Sequence, residues 1–327
     1  MKSEILKVLR QSDTHVSGQE LCERLGVSRT AVWKNIRQLQ EEGYQIEAVR
    51  NKGYRMIEAP VDVFNASEIK SRLEASSLIQ KVLYTEETDS TNTWAKRLAE
   101  EGSPSGTLAV AERQTQGKGR RGKVWSSPEG TSVYMTLLLR PEILPQYAAP
   151  LTLVMGLSVA QALSETLGLP AGIKWPNDVV VSGKKICGIL TEMNAQIDYV
   201  EYLVIGTGIN VNTQEFPDEI KEVATSAAVQ LGHIVSRAEL AAAVIRCFEK
   251  NYEIYLESCS LKGLLEDYRE KMINVDREVK VMGPGEVFEG VAKGINPAGE
   301  LLVERPNGSV TAVSGGEVSV RGIYGYV

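Results

Sequence analysis

The segment from residue 80 to about 270 combines short apolar strands, tight turns and a few long helices, and this pattern constrains the fold most strongly. Long helices are predicted over Leu151–Leu167, where Gly168 ends the pattern, and after the capping box Ser236-Arg237-Ala238-Glu239. Strands are predicted at residues 108–111, 133–139, 179–181, 186–190 and 202–205. Because tight turns connect antiparallel strands, whereas parallel strands require long crossovers, the pattern favours an α+β fold over a doubly wound α/β fold.

The first 62 residues predict a winged helix-turn-helix domain. A capping box at Ser17-Gly18-Gln19-Glu20 opens one helix, Gly26 ends it, and Ser28 caps the next. A hairpin predicted around Asn51-Lys52-Gly53 would form the wing. The second helix and the hairpin carry basic and short polar side chains that suit a DNA groove and its phosphates: Ser28, Arg29, Thr30, Lys34, Arg37 and Lys52. The alternative is a three-helix protein-interaction module whose basic face is merely solvated.

The end of the chain predicts a small third domain. Short strands after residue 273 are separated by Gly283-Pro284-Gly285, Asn296-Pro297-Ala298-Gly299, Pro306-Asn307-Gly308 and Gly315-Gly316. This spacing is typical of a small antiparallel β-barrel. We therefore predict three domains over residues 1–62, 63–272 and 273–327, and the residues alone do not indicate whether the last one binds anything.

The residue census excludes several kinds of site. Four cysteines form no CxxC pair, and the only histidines are His15 and His233, so we expect no zinc cluster and no histidine-based triad with a GxSxG elbow. The net charge is −6, yet residues 1–57 carry ten Lys/Arg against seven Asp/Glu, which suits one local contact with nucleic acid. The N-terminus has no long apolar signal, and the longest uninterrupted apolar stretch, near Val133–Leu139, is broken by Thr136 and too short to span a bilayer. We therefore expect a cytoplasmic protein without a membrane partner.

A basic loop rich in glycine follows the strand that begins at residue 108. Residues 117–123 hold three glycines and four cations, and Trp125 follows two residues later. Glycines allow consecutive N–H groups to converge on an anion, and the cations add charge for a phosphate or a carboxylate. The loop lacks the Gly-Lys-Ser/Thr ending of a P-loop and does not match GxGxxG. Two alternatives remain open, a basic surface turn and a flexible Arg-Gly patch that contacts RNA.

Four other motifs place polar groups at the ends of strands or at the start of a helix. In Lys174-Trp175-Pro176-Asn177-Asp178 the lysine suits a phosphate, and the aspartate suits magnesium or a base amine; the alternative is a turn with a side-chain cap. Lys185 begins a strand in which Gly188 allows close approach of a ligand. Asp89-Ser90-Thr91-Asn92 precedes a helix predicted to begin at Trp94, whose N-terminus would hold a polar ligand or only its own cap. The fourth motif is Gly206-Thr207-Gly208-Ile209-Asn210.

Together these motifs resemble those of the biotin protein ligases, specifically the bifunctional bacterial form that also represses the biotin operon. Five elements match in the family's order: Asp-Ser-Thr-Asn at 89–92, Gly-x-Gly-Arg-Arg-Gly-x-x-Trp at 117–125, Lys-Trp-Pro-Asn-Asp at 174–178, Lys-x-x-Gly-Ile-Leu at 185–190 and Gly-x-Gly-Ile-Asn at 206–210. The resemblance extends over the full chain. It implies a multidomain α+β fold: a winged helix-turn-helix, a central domain with a mixed sheet of the class II aminoacyl-tRNA synthetase and biotin ligase type, and a small SH3-like β-barrel.

The resemblance also implies a role for each matching residue. Biotin would be bound by Ser90, Thr91, Asn92, Gln114, Lys118, Gly119, Arg120, Lys185 and Gly188. ATP would be bound by Arg120, Arg121, Trp125, Lys174, Asn177, Asp178 and Asn210. Lys185 and Arg120 would be catalytic, and Asp178 would hold Mg²⁺. The chain departs from the family in having Lys118 and Lys123 where arginine is common, and in having no tryptophan between residues 211 and 327 to cover the adenine.

The implied reaction explains why the motifs are rich in cations and poor in nucleophiles. The carboxylate of biotin would attack the α-phosphorus of ATP, so both anions need positive charge beside them. The product, biotinyl-5′-AMP, would be attacked by a lysine of a biotin carboxyl carrier protein domain, as in acetyl-CoA carboxylase or pyruvate carboxylase. No histidine or cysteine nucleophile is required, and a closing loop would shield the adenylate from water.

A repressor must couple its two modules. Our hypothesis is that biotinyl-5′-AMP, as co-repressor, orders the 117–125 loop and promotes a homodimer whose two winged helices match the half-site spacing of operator DNA. Two rival functions remain open at this point. One is a metabolite-sensing transcription factor without catalysis, and the other is an acyl ligase for a different cofactor such as lipoate, whose family shares the general fold but not the loop.

Overall fold

Residues 1–73, 76–283, 287–315 and 319–322 are described by the structure, which is a computed structural model. They form three regions in chain order, containing a two-stranded hairpin, a seven-stranded mixed sheet and a five-stranded antiparallel sheet. The predicted α+β class, with a helix-turn-helix first and a small antiparallel β domain last, is confirmed. The domain boundaries at 62/63 and 272/273 stay predictions.

The first region contains three helices and a hairpin: α1 (Lys2–Arg10), α2 (Gly18–Leu25), α3 (Arg29–Glu41), β1 (Gln45–Val49) and β2 (Gly53–Glu58). Both predicted caps form, because Ser17 Oγ accepts from the Glu20 amide at 3.0 Å and Ser28 Oγ accepts from the Ala31 amide at 3.3 Å. Gly26 ends α2 in the left-handed region with φ 64°. Apolar side chains of all three helices form the core: Ile5, Leu6, Leu9, Leu21, Val32, Ile36 and Leu39.

The middle region begins with the short helix α4 (Ala66–Arg72). Its strands are β3 (Lys81–Thr88), β4 (Thr107–Gln114), β5 (Ser132–Leu139), β6 (Gly172–Lys174), β7 (Asp178–Val181), β8 (Lys184–Ala195) and β9 (Val200–Asn210). Its other helices are α5 (Thr91–Glu100), α6 (Leu151–Leu167), α7 (Ala227–Leu231), α8 (Arg237–Leu256) and α9 (Leu265–Lys271). The five predicted strands and both long helices are therefore present, and all five strands are longer than their patterns indicated.

The strands of the middle region form one sheet in the order β3-β4-β5-β9-β8-β7-β6. Only β3 and β4 are parallel neighbours, and every other adjacent pair is antiparallel. Residues of α6 and α8 share one apolar cluster with one face of the sheet. The opposite face packs against α5, where Ala95 and Leu98 join Ala109 and Leu138. The sheet therefore lies between two helical layers, and in the described part of the chain α5 is the one helix on the side that carries the Asp-Ser-Thr-Asn motif.

The start of α5 differs from the sequence prediction. The helix begins at Thr91 and not at Trp94, because Ser90 already has the extended backbone of an N-cap residue. The Thr91 amide, which a helix start leaves without an intrahelical acceptor, donates to Gln114 Oε1 at 2.8 Å. The acceptor therefore comes from a strand 23 residues away in sequence, and the local pattern contained no sign of it.

The last region consists of β10 (Glu278–Met282), β11 (Val287–Ile295), β12 (Leu301–Glu304), β13 (Val310–Val313) and β14 (Ser319–Gly322). They pair antiparallel in the order β13-β12-β11-β10-β14. The predicted breaks at 296–299 and 306–308 are turns between strands. Of the other predicted breaks, Pro284, Gly285 and Gly316 lie outside the described residues.

One stretch in the described part of the chain, Pro145–Leu167, is long and apolar enough by composition to cross a membrane. Within the fold, 72% of its most apolar window is buried, and α6 packs against α8 and the sheet. This is the environment of a core helix, which is apolar on nearly all sides because it packs against protein on nearly all sides.

Candidate functional site

A cavity of about 410 Å³ opens on the face of the sheet beside the N-terminus of α5. Its volume falls in the range of small-molecule sites. Its walls come from β5, β8, β9, the loop at 117–125 and residues 213–224, which we call the cover segment. The structure brings almost all the sequence-predicted ligand residues to this cavity: Ser90, Thr91, Asn92, Gln114, Lys118, Gly119, Arg120, Arg121, Trp125, Asn177, Asp178, Lys185, Gly188 and Asn210.

Lys174 is the exception. It belongs to β6, is only 6% exposed, and is not among the described residues that line the cavity. The pairing of Lys174 with Asp178 across β6 and β7 explains the arrangement, because the turn between them carries Asn177 towards the cavity and leaves Lys174 in the sheet. The predicted contact of Lys174 with ATP stays a prediction that this geometry does not favour.

One end of the cavity is a hydrogen-bonded cluster of short polar side chains. Thr91 Oγ1 lies 3.0 Å from Gln114 Oε1 and 2.9 Å from Thr136 Oγ1, and Gln114 Nε2 donates to Ser127 Oγ at 2.9 Å. Asp89 holds the start of α5 in place, because it accepts from the Ser90 amide at 2.8 Å and from Arg97. The hydrogen bonds from Arg97 lower the pKa of Asp89 to about 2. The cluster is therefore preorganised by groups that lie outside the cavity itself.

The side-chain amide of Asn92 uses its hydrogen-bonding groups within the protein. Its Nδ2 donates to the Leu190 carbonyl at 3.1 Å and to Glu192 Oε2 at 2.8 Å, and its Oδ1 accepts from Thr136 Oγ1 at 2.8 Å. Both amide hydrogens are thereby used. Burial alone would raise the pKa of Glu192, but hydrogen bonds from Lys96 and Asn92 hold it below its usual value. Asn92 thus lines the cavity with its side chain fixed by hydrogen bonds to the protein. Its partner Glu192 was not predicted from the sequence pattern.

The basic loop is folded into a small hairpin. The Gly119 amide donates to the Lys123 carbonyl at 2.7 Å, and the Trp125 amide donates to the Gly117 carbonyl at 2.9 Å. These amides cannot join the predicted anion nest, so recognition of an anion there depends more on side chains than on backbone. Gly117 is required for this closure, because a Cβ at that position would lie 2.3 Å from the Trp125 carbonyl oxygen.

Arg120 extends from the hairpin into the fold. Its Nη1 donates to Asn177 Oδ1 at 2.7 Å, and its Nη2 donates to the Gly315 carbonyl of the last region. Burial lowers the pKa of Arg120, and the charge of Asp178 acts in the opposite direction. Lys118, by contrast, reaches α5, where Nζ lies 3.0 Å from Thr93 Oγ1. The two cations therefore stand on different sides of the cavity.

Lys185 and Asp178 form an ion pair, with Lys185 Nζ 2.5 Å from Asp178 Oδ1. The two side chains are 24% and 17% exposed, so the pair faces the cavity and is not sealed in the core. Lys185 Nζ also lies 5.3 Å from the centroid of the Trp125 ring. Among the residues that the structure describes, five cations and two carboxylates line the cavity, an excess of positive charge: Lys118, Arg120, Arg121, Lys123 and Lys185 against Asp178 and Glu215.

Trp125 lies against two glycines that face each other across β8 and β9. A Cβ at Gly188 would be 2.8 Å from Trp125 Cζ3, and one at Gly208 would be 2.7 Å from Trp125 Nε1. Trp125 Nε1 and the neighbouring Thr207 Oγ1 are buried without a hydrogen-bond partner in the described part of the protein. Trp125 lines the cavity, so a ligand with a hydrogen-bond acceptor in its middle fits this donor, whereas the Thr207 side chain shares the face of Ile205 and Ile209 that packs against α6 and α8.

Sequence reasoning missed the cover segment. It brings apolar side chains over the cavity between β9 and α7: Phe216, Pro217, Ile220 and Val223. The Lys185 amide donates to the Val223 carbonyl at 2.7 Å, and the Thr225 amide donates to the Lys185 carbonyl at 2.9 Å, so the segment is attached to β8. The only available signal was these scattered apolar residues in a segment with many acidic ones, and no periodicity distinguished it.

No cluster of three or more His, Cys, Asp or Glu side chains with metal-binding spacing occurs among the described residues. Asp178, the predicted Mg²⁺ residue, stands at the cavity with Asn177 Nδ2 3.1 Å from its Oδ1. A single carboxylate fits a Mg²⁺ ion that takes its other ligands from phosphates and water. The donor set does not fit a cation held by protein alone.

The six predicted DNA-contact side chains are all exposed, on α3, its cap and the tip of the hairpin. Arg29 donates to Gln19 Oε1 at 3.1 Å, and Ser28 serves as the cap of α3. Trp33 is a residue that the sequence reading did not single out. It is 51% exposed on α3, and the Arg37 guanidinium lies 5.1 Å from its ring centroid. The predicted DNA-contact residues and Trp33 are therefore all accessible to a ligand from solvent.

Comparison with known proteins assigns each region. Residues 84–210 match the Biotin/lipoate A/B protein ligase family, residues 2–55 match an HTH domain, and residues 275–321 match the Biotin protein ligase C terminal domain. The bifunctional ligase/repressor BirA of Bacillus subtilis is 41% identical over 94% of this chain and 95% of its own length. That of Escherichia coli is 33% identical over 97% and 96%.

A solved structure of biotin protein ligase from Aquifex aeolicus in complex with biotin and ATP has 35% sequence identity and a TM-score of 0.66. The alignment covers 75% of this chain and all of that one. The resemblance inferred from the five motifs is confirmed. The chain belongs to the biotin/lipoate A/B protein ligase family, in the form that carries an N-terminal helix-turn-helix domain.

Proposed function

We propose that the protein is a biotin protein ligase and a biotin-dependent repressor. In the first half-reaction a carboxylate oxygen of biotin bonds to the α-phosphorus of ATP, and the bond to pyrophosphate breaks. In the second, the amine of an acceptor lysine attacks the acyl carbon, AMP leaves, and the amine loses a proton. The acceptors are biotin carboxyl carrier protein domains, as in acetyl-CoA carboxylase and pyruvate carboxylase.

The observation that carries this proposal is the convergence of the five motifs on one cationic cavity. Two anions must meet there, and five cations stand around the place where they would meet. The polar cluster of Thr91 and Gln114 suits the ureido group of biotin, and the apolar side chains of the cover segment suit adenine where the chain has no tryptophan. Fixed charges that surround developing charge stabilise the transition state more effectively than water does.

In this arrangement Lys185 and Arg120 contact the reacting groups from two directions. Asp178 orients Lys185 through their ion pair, and Asn177 orients Arg120. Asp178 would hold a Mg²⁺ ion together with the phosphates of ATP, and the ion would supply positive charge to the departing pyrophosphate. Lys185 would supply positive charge to the α-phosphate from its position beside Asp178.

The enzymatic part is tested by exchange of labelled pyrophosphate into ATP. We expect exchange with the wild-type chain only when biotin and Mg²⁺ are present, because reversal requires the adenylate. Lipoate in place of biotin serves as the control substrate. Absence of exchange would indicate a ligand sensor without catalysis, and exchange that depends on lipoate would indicate the other branch of the family.

The regulatory part follows from the N-terminal domain. We propose that biotinyl-5′-AMP acts as co-repressor by promoting a homodimer that binds operator DNA in the cytoplasm. In a gel shift with promoter fragments of biotin biosynthesis genes from the source organism, biotin plus ATP should increase affinity by at least about tenfold, a coupling of about 1.4 kcal/mol. Equal affinity with and without the two ligands would contradict the co-repressor role and would leave the ligase role intact.

A further inference from the structure

A buried arginine links the predicted end of the N-terminal domain to the wall of the cavity. Arg237 is only 5% exposed at the start of α8. Its Nε donates to Asp62 Oδ2 at 2.7 Å, its backbone amide donates to Asp62 Oδ1 at 3.0 Å, and its Nη1 donates to Glu112 Oε1 at 2.6 Å. Burial opposes the charge of this guanidinium, but Asp62 and Glu112 together raise its pKa above the usual value. One cation therefore joins carboxylates 50 positions apart in sequence.

Both carboxylates also accept hydrogen bonds from residues next to the cavity. Glu112 Oε1 accepts from the Gly130 amide at 2.9 Å, just before β5. Asp62 Oδ2 accepts from Asn212 Nδ2 at 3.1 Å, and the Asn212 amide donates to the Thr131 carbonyl at 2.5 Å. The cover segment begins at the next residue, Thr213. The ion-pair cluster therefore anchors both the entry to β5 and the start of the cover segment.

These anchors belong to one end of the cavity. Ser132 pairs with Asn210 across β5 and β9, and Ser132 Oγ lies 3.1 Å from Thr213 Oγ1. All three residues line the cavity on the side of the cover segment. The cluster of Thr91 and Gln114 is attached instead to α5 and to Ser127. A substitution at Asp62 should consequently change ATP binding more than biotin binding.

The first turn of α8 is also connected to the N-terminal domain through side chains of α4. Glu68 on α4 accepts from Arg10 of α1 and from the hydroxyl of Tyr44. Arg72, one turn further along α4, pairs with Glu68 at 3.0 Å and with Glu239 of α8 at 3.1 Å. Asp62 therefore contacts α8 through Arg237, and α4 contacts α8 through Arg72, which pairs with Glu239 and whose carbonyl accepts from Arg246 at 2.9 Å.

We propose that Asp62 and Arg237 are positioning residues for ATP, which set the location of the cover segment through Asn212 and of the β5 entry through Glu112. Neither side chain is among the residues lining the cavity, so neither is a catalytic residue. The inference rests on the proposed ligase function. It also makes the last residue of the predicted N-terminal domain part of the support of the active site.

The decisive variant is Asp62→Asn in the full chain. Asparagine keeps the size of the side chain but removes the negative charge beside Arg237. One of its two terminal atoms is an NH₂ group, so it cannot replace both carboxylate oxygens as acceptors for Arg237 and Asn212. We expect the KM for ATP in biotin-dependent pyrophosphate exchange to rise by about three- to tenfold, the range of a weakened supporting hydrogen bond. The KM for biotin and kcat should each change by less than about twofold.

The matched control is Asp276→Asn, the same change at a carboxylate that is 67% exposed and paired with Lys293 at 3.6 Å. It should leave all three constants unchanged. Arg237→Lys is the second variant, because a single ammonium cannot bridge two carboxylates as a planar guanidinium does. Arg237→Lys should give the same selective rise in the KM for ATP. It tests the positioning role even if Asp62→Asn fails to fold.

Wild-type KM values for ATP in both variants, or equal rises for ATP and biotin, would overturn the positioning role. Calorimetric titration with ATP alone separates this failure from failure of the proposed function. A wild-type chain that binds ATP without catalysing exchange would refute the ligase proposal, whereas weaker ATP binding by Asp62→Asn would still support the positioning role.

Discussion

Replacing Lys185 by alanine should lower biotin-dependent pyrophosphate exchange by about 100- to 1,000-fold, the usual cost of losing one preorganised group that stabilises transition-state charge. The lysine Nζ stands 2.5 Å from Asp178 and over the ring of Trp125, at the point where strand β8 enters the cavity. Alanine removes this charge and leaves Asp178 facing the phosphates, so two anions would approach an additional carboxylate. The loss should appear in kcat for exchange more than in the KM for biotin.

The fold should survive this change. The Lys185 side chain is 24% exposed, and partly exposed ion pairs contribute only about 0 to 1 kcal/mol to the free energy of unfolding. Lys184→Ala is the matched control, since Lys184 is the adjacent lysine and is not among the described residues that line the cavity. The control should keep wild-type exchange. Near-normal exchange by Lys185→Ala would remove this lysine from the catalytic residues.

Replacing Gly206 by alanine should abolish tight binding of biotin. An added Cβ would lie 2.1 Å from Asn92 Oδ1, far inside contact distance, and Gly206 pairs with Thr136 on one side and Leu190 on the other. Because β9 is hydrogen-bonded to both neighbours, the strand cannot move away, and Asn92 must leave its place. Calorimetry should show biotin affinity weaker by at least about tenfold, with a loss of stability of about 1 to 3 kcal/mol.

Two further variants distinguish this collision from a general effect of the extra methyl group. Gly156→Ala in α6 makes the same change where the Cβ would meet its nearest neighbour at 3.7 Å, so it should bind biotin as the wild type does. The double variant Gly206→Ala with Asn92→Ala removes the colliding amide, and it should recover part of the stability without recovering the affinity. Wild-type biotin affinity in Gly206→Ala alone would contradict the assigned role of the cluster around Asn92.

Local sequence patterns predicted the elements more reliably than the site. Capping and turn residues act on their own backbone, so the boxes at Ser17 and Ser236 and the end of α6 at Gly168 were readable from a few neighbouring residues. The start of α5 was misplaced for the opposite reason, since its amide finds its acceptor on β4. The motif residues were identifiable as a set, but their partners Glu192 and Thr136 were not, because ordinary polar residues on strands carry no local signal.

The sequence by itself determined the three-part order, the helical and extended segments, the charge of each part and the residue types available for catalysis. These depend on neighbouring residues and on composition. The tertiary structure alone decided that Lys174 stays in the sheet while Asn177 and Asp178 face the cavity, that the basic loop closes into a hairpin directing Arg120 towards Gly315, and that Arg237 joins Asp62 to Glu112. Each of these contacts joins residues through the packing of separate strands and helices, so the distance between them is set by the whole fold and not by their spacing in the chain.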